Sequence, residues 1–315
     1  MFNRIHQLKK NLTFLLILFI PGIVLAAKTA VIEPIVSYSN EQIKYNIYNT
    51  NGNLNSCLEW QADYLLKTGV AFSIQNTNFK FSVLTLFDLP FRCGNMQDSD
   101  WRSEKIKTNF CKGELYSGFG FDLEFNFEYS IRLNDNFCIM PQILITNSYT
   151  SFKSKKVTGW CGDMTHTNLP YNVAWNDESS KKVRKYGIDL YNNLTCLYFG
   201  IAMEQTWSNI KLGVSAKISP FSNIICIDHH LNKEEGHFYQ LIVNPISSKF
   251  DLWTVLTLDK MFSIHLITTY SLNPDTFGDF YFGYFHIDNI LADENCSLKL
   301  SELSFKIGLQ IKLSS

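Results

Sequence analysis

The chain is 315 residues long, with 28 Lys and Arg against 29 Asp and Glu, and this net charge of -1 leaves no basic footprint for nucleic acid. A mean hydropathy of -0.05 excludes a bundle of membrane helices. The 15% aromatic content suits the girdles and lipid-facing bands of a membrane β-barrel, whose lumen-facing positions are polar.

The N-terminus reads as a secretory signal. Arg4, Lys9 and Lys10 supply the positive start, Leu12 to Ile20 the apolar run, and Val24-Leu25-Ala26 the approach to a cut after Ala26. The competing reading, a single membrane anchor, needs a longer apolar core than the one Pro21-Gly22 interrupts. Residues 27–315 then read as one domain, because no linker, low-complexity tract or charge block divides them. Eight cysteines in an exported chain predict disulfides. Cys57, Cys93, Cys111, Cys161, Cys226 and Cys296 fall toward one end of the strands described next, and Cys93–Cys111 is the bridge expected there.

Strand-like alternation runs through the rest. Phe119, Phe121, Leu123, Phe125, Phe127 and Tyr129 alternate with Gly120, Asp122, Glu124, Asn126 and Glu128. Ile210 to Ile218 alternates with Lys211, Gly213, Ser215 and Lys217, and Leu303 to Leu313 does so with Ser304, Lys306, Gly308, Gln310 and Lys312. Period-two alternation marks a strand between two unlike solvents. A soluble core would not bury so many charges, so the apolar face is the covered one, either by a second sheet or by lipid. The absence of helical periodicity and the signal segment favour lipid.

Short turns are predicted at 75–78, 134–136, 207–209 and 259–260. Longer polar stretches fall at 50–55, 93–112, 154–185, 227–248 and 273–295. Together they connect ten strands, over 30–49, 56–75, 79–92, 112–133, 137–153, 186–206, 210–226, 249–258, 261–272 and 297–313. The expected fold is therefore all-β, a ten-stranded antiparallel transmembrane β-barrel with short periplasmic turns and long outer loops. Asp98 and Asp100 then begin the second long loop, and Asp228 and His230 the fourth, both at the outer mouth.

These two segments carry the chemistry. Gly94-Asn95-Met96-Gln97-Asp98-Ser99-Asp100-Trp101 and Asp228-His229-His230 each place ionisable groups at i and i+2, which share a face in extended chain. Three carboxylates and an imidazole around one small volume can polarise a water. Simpler readings stand beside this one: a solvated D-x-D pair, or an ordinary loop histidine. His229 is the alternative base if the register shifts by one. A zinc site from Asp228, His229, His230 and His237 lacks ligand spacing, since adjacent histidines point to opposite faces of a strand. A cysteine nucleophile, Cys226 or Cys161 with His230, conflicts with the tendency of exported cysteines to bridge.

The string Gly94-Asn95-Met96-x-Asp98-x-Asp100-Trp101 followed by Asp228-x-His230 resembles the omptin family of outer-membrane endopeptidases. Weaker similarity runs from about Tyr45 to the C-terminus and includes Ser56-Cys57-Leu58-Glu59-Trp60. The resemblance implies a catalytic set of Asp98, Asp100, Asp228 and His230 acting on a polypeptide substrate through an activated water, without cofactor or metal. It also implies an outer-membrane location with the site facing out, a monomer, and a requirement for lipopolysaccharide on the barrel exterior. Omptins seat a basic substrate side chain on acidic residues. The matching positions here are Cys226, two residues before Asp228, and Gln42 with Glu41 adjacent, so the specificity is expected to depart from dibasic. The alternative from another class is a non-catalytic barrel: an adhesin, a small porin or a structural protein.

Overall fold

The structure, a computed structural model, describes residues 29–103, 106–161, 181–182, 187–230, 236–243, 245–283 and 290–314. The expected signal segment 1–26 lies outside them.

Every regular element among the described residues is a strand. Ten staves follow in chain order: β1 Thr29–Tyr48, β2 Leu54–Gln75, β3 in two pieces Phe79–Asp88 and Arg92–Ser103, β4 in two pieces Ile106–Ser117 and Phe121–Tyr129, and β5 Phe137–Cys161. Then come β6 Ile188–Trp207, β7 Ile210–His230, β8 in two pieces Gly236–Val243 and Ser247–Thr257, β9 Phe262–Gly283 and β10 Ile290–Ser314. The two pieces of a broken stave share the same partners, so a bulge interrupts the ladder without ending it. Each stave pairs antiparallel with its sequence neighbours, and β1 pairs with β10 from Thr29↔Ser314 to Tyr48↔Asn295, closing the ring. Closure leaves no edge strand, the condition for β-structure in lipid.

The outer face is apolar. Ile32, Val36 and Tyr38 on β1, Phe199, Ile201 and Met203 on β6, and Phe305, Ile307 and Leu309 on β10 are exposed at period two. The residues between them face the lumen. Lys67 is buried there with Nζ 2.8 Å from Asp122 and 3.7 Å from Asp88, Lys217 pairs with Asp251, Lys249 with Glu124, and His265 Nδ1 lies 2.8 Å from Glu33. The closed ring thus assigns the covered face to lipid rather than to a second sheet.

The short turns fall where expected, and their chemistry is local. The Asn76 side-chain oxygen accepts from the backbone N–H groups of Asn78 and Phe79, Asn134 does the same for Asn136, and Asp259 for Met261 and Phe262. Ser208 holds φ 48 in the 207–209 turn.

The opposite rim differs from expectation. Residues 93–103, 227–230, 236–243 and 273–283 continue the strands rather than forming loops. Along Gln97–Asp100 and Asp228–His230 no apolar residue marks either face, so the apolar alternation stops while the hydrogen-bonded ladder goes on.

Within this upper section the lumen is filled. Ile43, Tyr45, Trp60, Met96, Leu115, Phe152, Leu190, Ile224, Cys226, Ile242, Phe280, Cys296 and Leu298 belong to one buried cluster fed by staves all round the ring. Below it lies a polar cavity of about 380 Å³ toward the short-turn rim, lined by Lys80, Arg132, Glu204 and Lys211 among others.

Candidate functional site

The site begins with two ladders. On β3, Gly94, Asp98 and Asp100 pair with Ala62, Leu58 and Ser56 of β2. Gly94 allows this close approach: a Cβ there would lie 1.9 Å from the Gln61 carbonyl oxygen. Its place in the motif is therefore steric. Met96 enters the apolar cluster, and Asp98 and Asp100 follow at i+2 and i+4, above it on the same face. On β7, Ile224 and Cys226 enter the same cluster, and Asp228 and His230 follow at i+2 and i+4. Both acidic motifs thus stand on one apolar floor, reached from different staves of the ring.

The Asp228 side chain is 1% exposed and His230 is 19% exposed, with Nε2 of His230 3.5 Å from Oδ2 of Asp228. Phe238, opposite Asp228 on β8, packs edge-on to the imidazole with ring centroids 4.9 Å apart. The carboxylate and the aromatic ring together hold the plane of the imidazole, which keeps 19% of its side chain exposed. His229 takes the opposite face, across from Asp189 of β6. The register alternative would therefore remove the base from Asp228. Adjacent histidines pointing apart also leave the zinc reading without a ligand set; among the described residues no cluster of three or more His, Cys, Asp or Glu could hold a metal ion.

Of the three substrate-binding candidates, Glu41 and Cys226 face inward and are buried, whereas Gln42 is exposed on the outer face. Gln42 cannot receive a side chain held inside the barrel. Cys226 is completely buried beside Cys296, and burial holds both thiols protonated, Cys296 pushed up to about 12 and Cys226 further. The floor under Asp228 is therefore neutral.

The expected Cys93–Cys111 bridge is not made. Cys93 is a free thiol in a bulge between Arg92 and Gly94, buried in the apolar cluster, while Cys111 lies opposite Asp98 with Sγ 3.9 Å from Oδ2. The register separates the two by several residues, roughly 15 Å along the ladder, beyond the reach of a disulfide. Cys161 lies at the limit of the described residues and its side chain outside them.

Neither Phe238 nor Cys111 can be singled out from sequence, because each meets His230 or Asp98 only through strand register. The one available signal is the period-two position of Cys111 within Cys111-Lys112-Gly113, which resembles that of any other strand.

No family model matches this chain, and no curated protein matches it. Among solved structures it superimposes on the outer membrane protease OmpT from Escherichia coli with a TM-score of 0.77 and 12% identity, over 91% of this chain and 97% of that one. OprG from Pseudomonas aeruginosa gives a TM-score of 0.36 at 11% identity, covering 92% and 98%, and Neisserial surface protein A gives 0.32 at 7%, covering 90% and 97%. The first likeness establishes the fold of an outer-membrane barrel.

Proposed function

We propose that the protein is an outer-membrane endopeptidase whose site faces the cell exterior. The observation that carries this reading is the buried Asp228–His230 pair standing on the same apolar floor as Asp98 and Asp100. Solvated loop residues would have no reason to share a floor or to bury a carboxylate to 1% exposure.

In this reading a water lies between the two motifs. His230 takes its proton as the oxygen attacks the peptide carbonyl carbon. Asp228 keeps the imidazole oriented and stabilises the imidazolium that forms. Asp98 and Asp100 hold the water in line with the carbonyl, sharing charge and protons as a pair. The tetrahedral intermediate collapses as His230 returns the proton to the leaving amine, and no acyl-enzyme forms. The 3.5 Å separation suits a site that tightens when substrate excludes solvent.

The resemblance to omptins and the barrel likeness to OmpT add support, and lipopolysaccharide dependence and a monomeric state come with them as part of the proposal. The small-porin alternative meets an obstacle in the apolar cluster filling the upper lumen. Incubating refolded protein, with and without lipopolysaccharide, with a quenched peptide library tests the reading. Cleavage that disappears in His230→Ala is expected; no cleavage under any condition rejects it.

A further inference from the structure

The imidazole of His230 is supported unevenly. Its register partner on β6 is Ile188, which belongs to the apolar cluster, and its partner on β8 is Gly236, which has no side chain to offer. On the β8 side the ring meets Phe238 instead, with ring centroids 4.9 Å apart and planes at 64°. Phe238 is in turn stacked on Phe280, with centroids 5.9 Å apart and planes at 2°. Phe280 is 2% exposed and packed within the cluster. A chain of contacts thus runs from the apolar layer through two aromatic rings to the imidazole.

The orientation of that ring decides which atom can act. The nitrogen turned toward Asp228 is Nε2, 3.5 Å from Oδ2. A ring nitrogen that donates its N–H to a carboxylate has no lone pair left to accept a proton, so the other nitrogen must do so. The bond from Cβ to an imidazole ring rotates in a broad, nearly two-fold well, and the strand alone does not choose between the two faces. A half-turn would put Cε1 where Nε2 meets Asp228, and Cδ2 where Nδ1 stood. A flat side chain packed edge-on against the ring opposes that half-turn. An aliphatic side chain would fill the space without presenting a plane.

We propose that Phe238 is a positioning residue for His230: it keeps the imidazole in the orientation that commits Nε2 to Asp228, so that Nδ1 is the nitrogen that takes the proton of the attacking water. The inference rests on the peptidase reading. In the first step an O–H bond of the water breaks and its proton goes to the Nδ1 lone pair. The water oxygen bonds the carbonyl carbon, whose π pair moves onto the carbonyl oxygen. In the second step that pair returns, the C–N bond breaks with its electrons going to nitrogen, and Nδ1 gives its proton to the leaving amine. Nε2 keeps its hydrogen throughout and donates it to Asp228. The flipped ring offers carbon at both places and can do neither.

The test uses refolded full-length protein with lipopolysaccharide and a quenched peptide that the wild type cleaves. Phe238→Leu should lower kcat by about 10- to 100-fold, the range for a misplaced reacting group, with KM unchanged within about twofold. Phe238→Tyr restores a flat ring and should recover most of that loss. Heat-modifiable gel migration confirms a folded barrel for both variants. The tautomer is read without substrate, by nitrogen NMR of protein carrying isotope-labelled histidine, and His230→Gln identifies the signal among the seven histidines. Neutral His230 should carry its proton on Nε2 in the wild type, and its two nitrogen signals should move toward each other in Phe238→Leu as the tautomers mix. A neutral wild-type ring protonated at Nδ1, an unchanged kcat in Phe238→Leu, a loss carried by KM, or a loss that Phe238→Tyr does not recover overturns the inference and leaves the peptidase standing. No cleavage of any peptide by the wild type overturns both.

Discussion

His230 is 19% exposed and Asp228 1%, and in the proposed reaction this difference divides their labour: one would exchange protons with the mouth, the other would orient its partner. His230→Ala should lower kcat on the order of 10²–10⁴-fold, and Asp228→Asn should lose a sizeable part of that. Asp98→Ala and Asp100→Ala should be comparably damaging, because a misplaced water loses its attack geometry. Combined with His230→Ala they should add little, since the four groups act as a unit. Single-turnover rates of the four single and two double variants check this, and full additivity would separate the motifs. At the same scale, Cys226→Asp places an acid beneath Asp228 and should raise cleavage of Arg peptides relative to apolar ones. An unchanged ratio would remove Cys226 from the substrate-binding candidates. The i, i+2 spacing puts each ionisable pair on one face, because period two is a local property, while the Gly94-Asn95-Met96 and Trp101 flanks and the omptin resemblance single the pairs out. It does not separate Glu41 from Gln42, since which of two adjacent residues points inward depends on the register with β2 and β10.

The staves are legible in sequence where they cross lipid, and poorly above it. Phe121 to Tyr129 alternates with residues that pair with lumen lysines, and the two solvents write themselves into the sequence. Arg92 to Ser103 is also a strand, bulged near both ends, yet Gln97, Asp98, Ser99 and Asp100 read as a loop because no apolar residue between Met96 and Trp101 marks a face. The turns escape this problem, since Asn76, Asn134 and Asp259 form their bonds within three residues. Between the lipid-crossing staves, Lys67 on β2 ties Asp122 on β4 to Asp88 on β3. Lys67→Met should therefore leave two carboxylates uncompensated and lower the temperature at which the barrel loses its fast gel migration. Adding Asp122→Asn should restore part of the loss. If the single variant migrates and melts like wild type, the three staves are not coupled through this lysine.

As a whole the molecule is a stoppered cylinder: a wet, charged lower lumen beneath an apolar upper layer. Circular dichroism of refolded protein should be strand-dominated, and unboiled samples should migrate faster than boiled ones. Planar bilayers containing the protein should show no stepwise conductance, because ions would have to cross the layer from Ile43 to Phe280. Regular open-channel steps would favour a pore and count against the filled lumen.

The junction of β1 with β10 has one more consequence. Thr29 and Ser314 are register partners at the short-turn rim, so the covalent order of the staves has a gap where the hydrogen-bonded order has none. A short linker across that gap, with a new opening cut at the Ser208–Asn209 turn, would yield a circular permutant with the same ring of neighbours. Its finished barrel should match the parent in stability and activity. Its assembly should not, because β6 and β7, now at opposite ends of the chain, would be the last pair to meet.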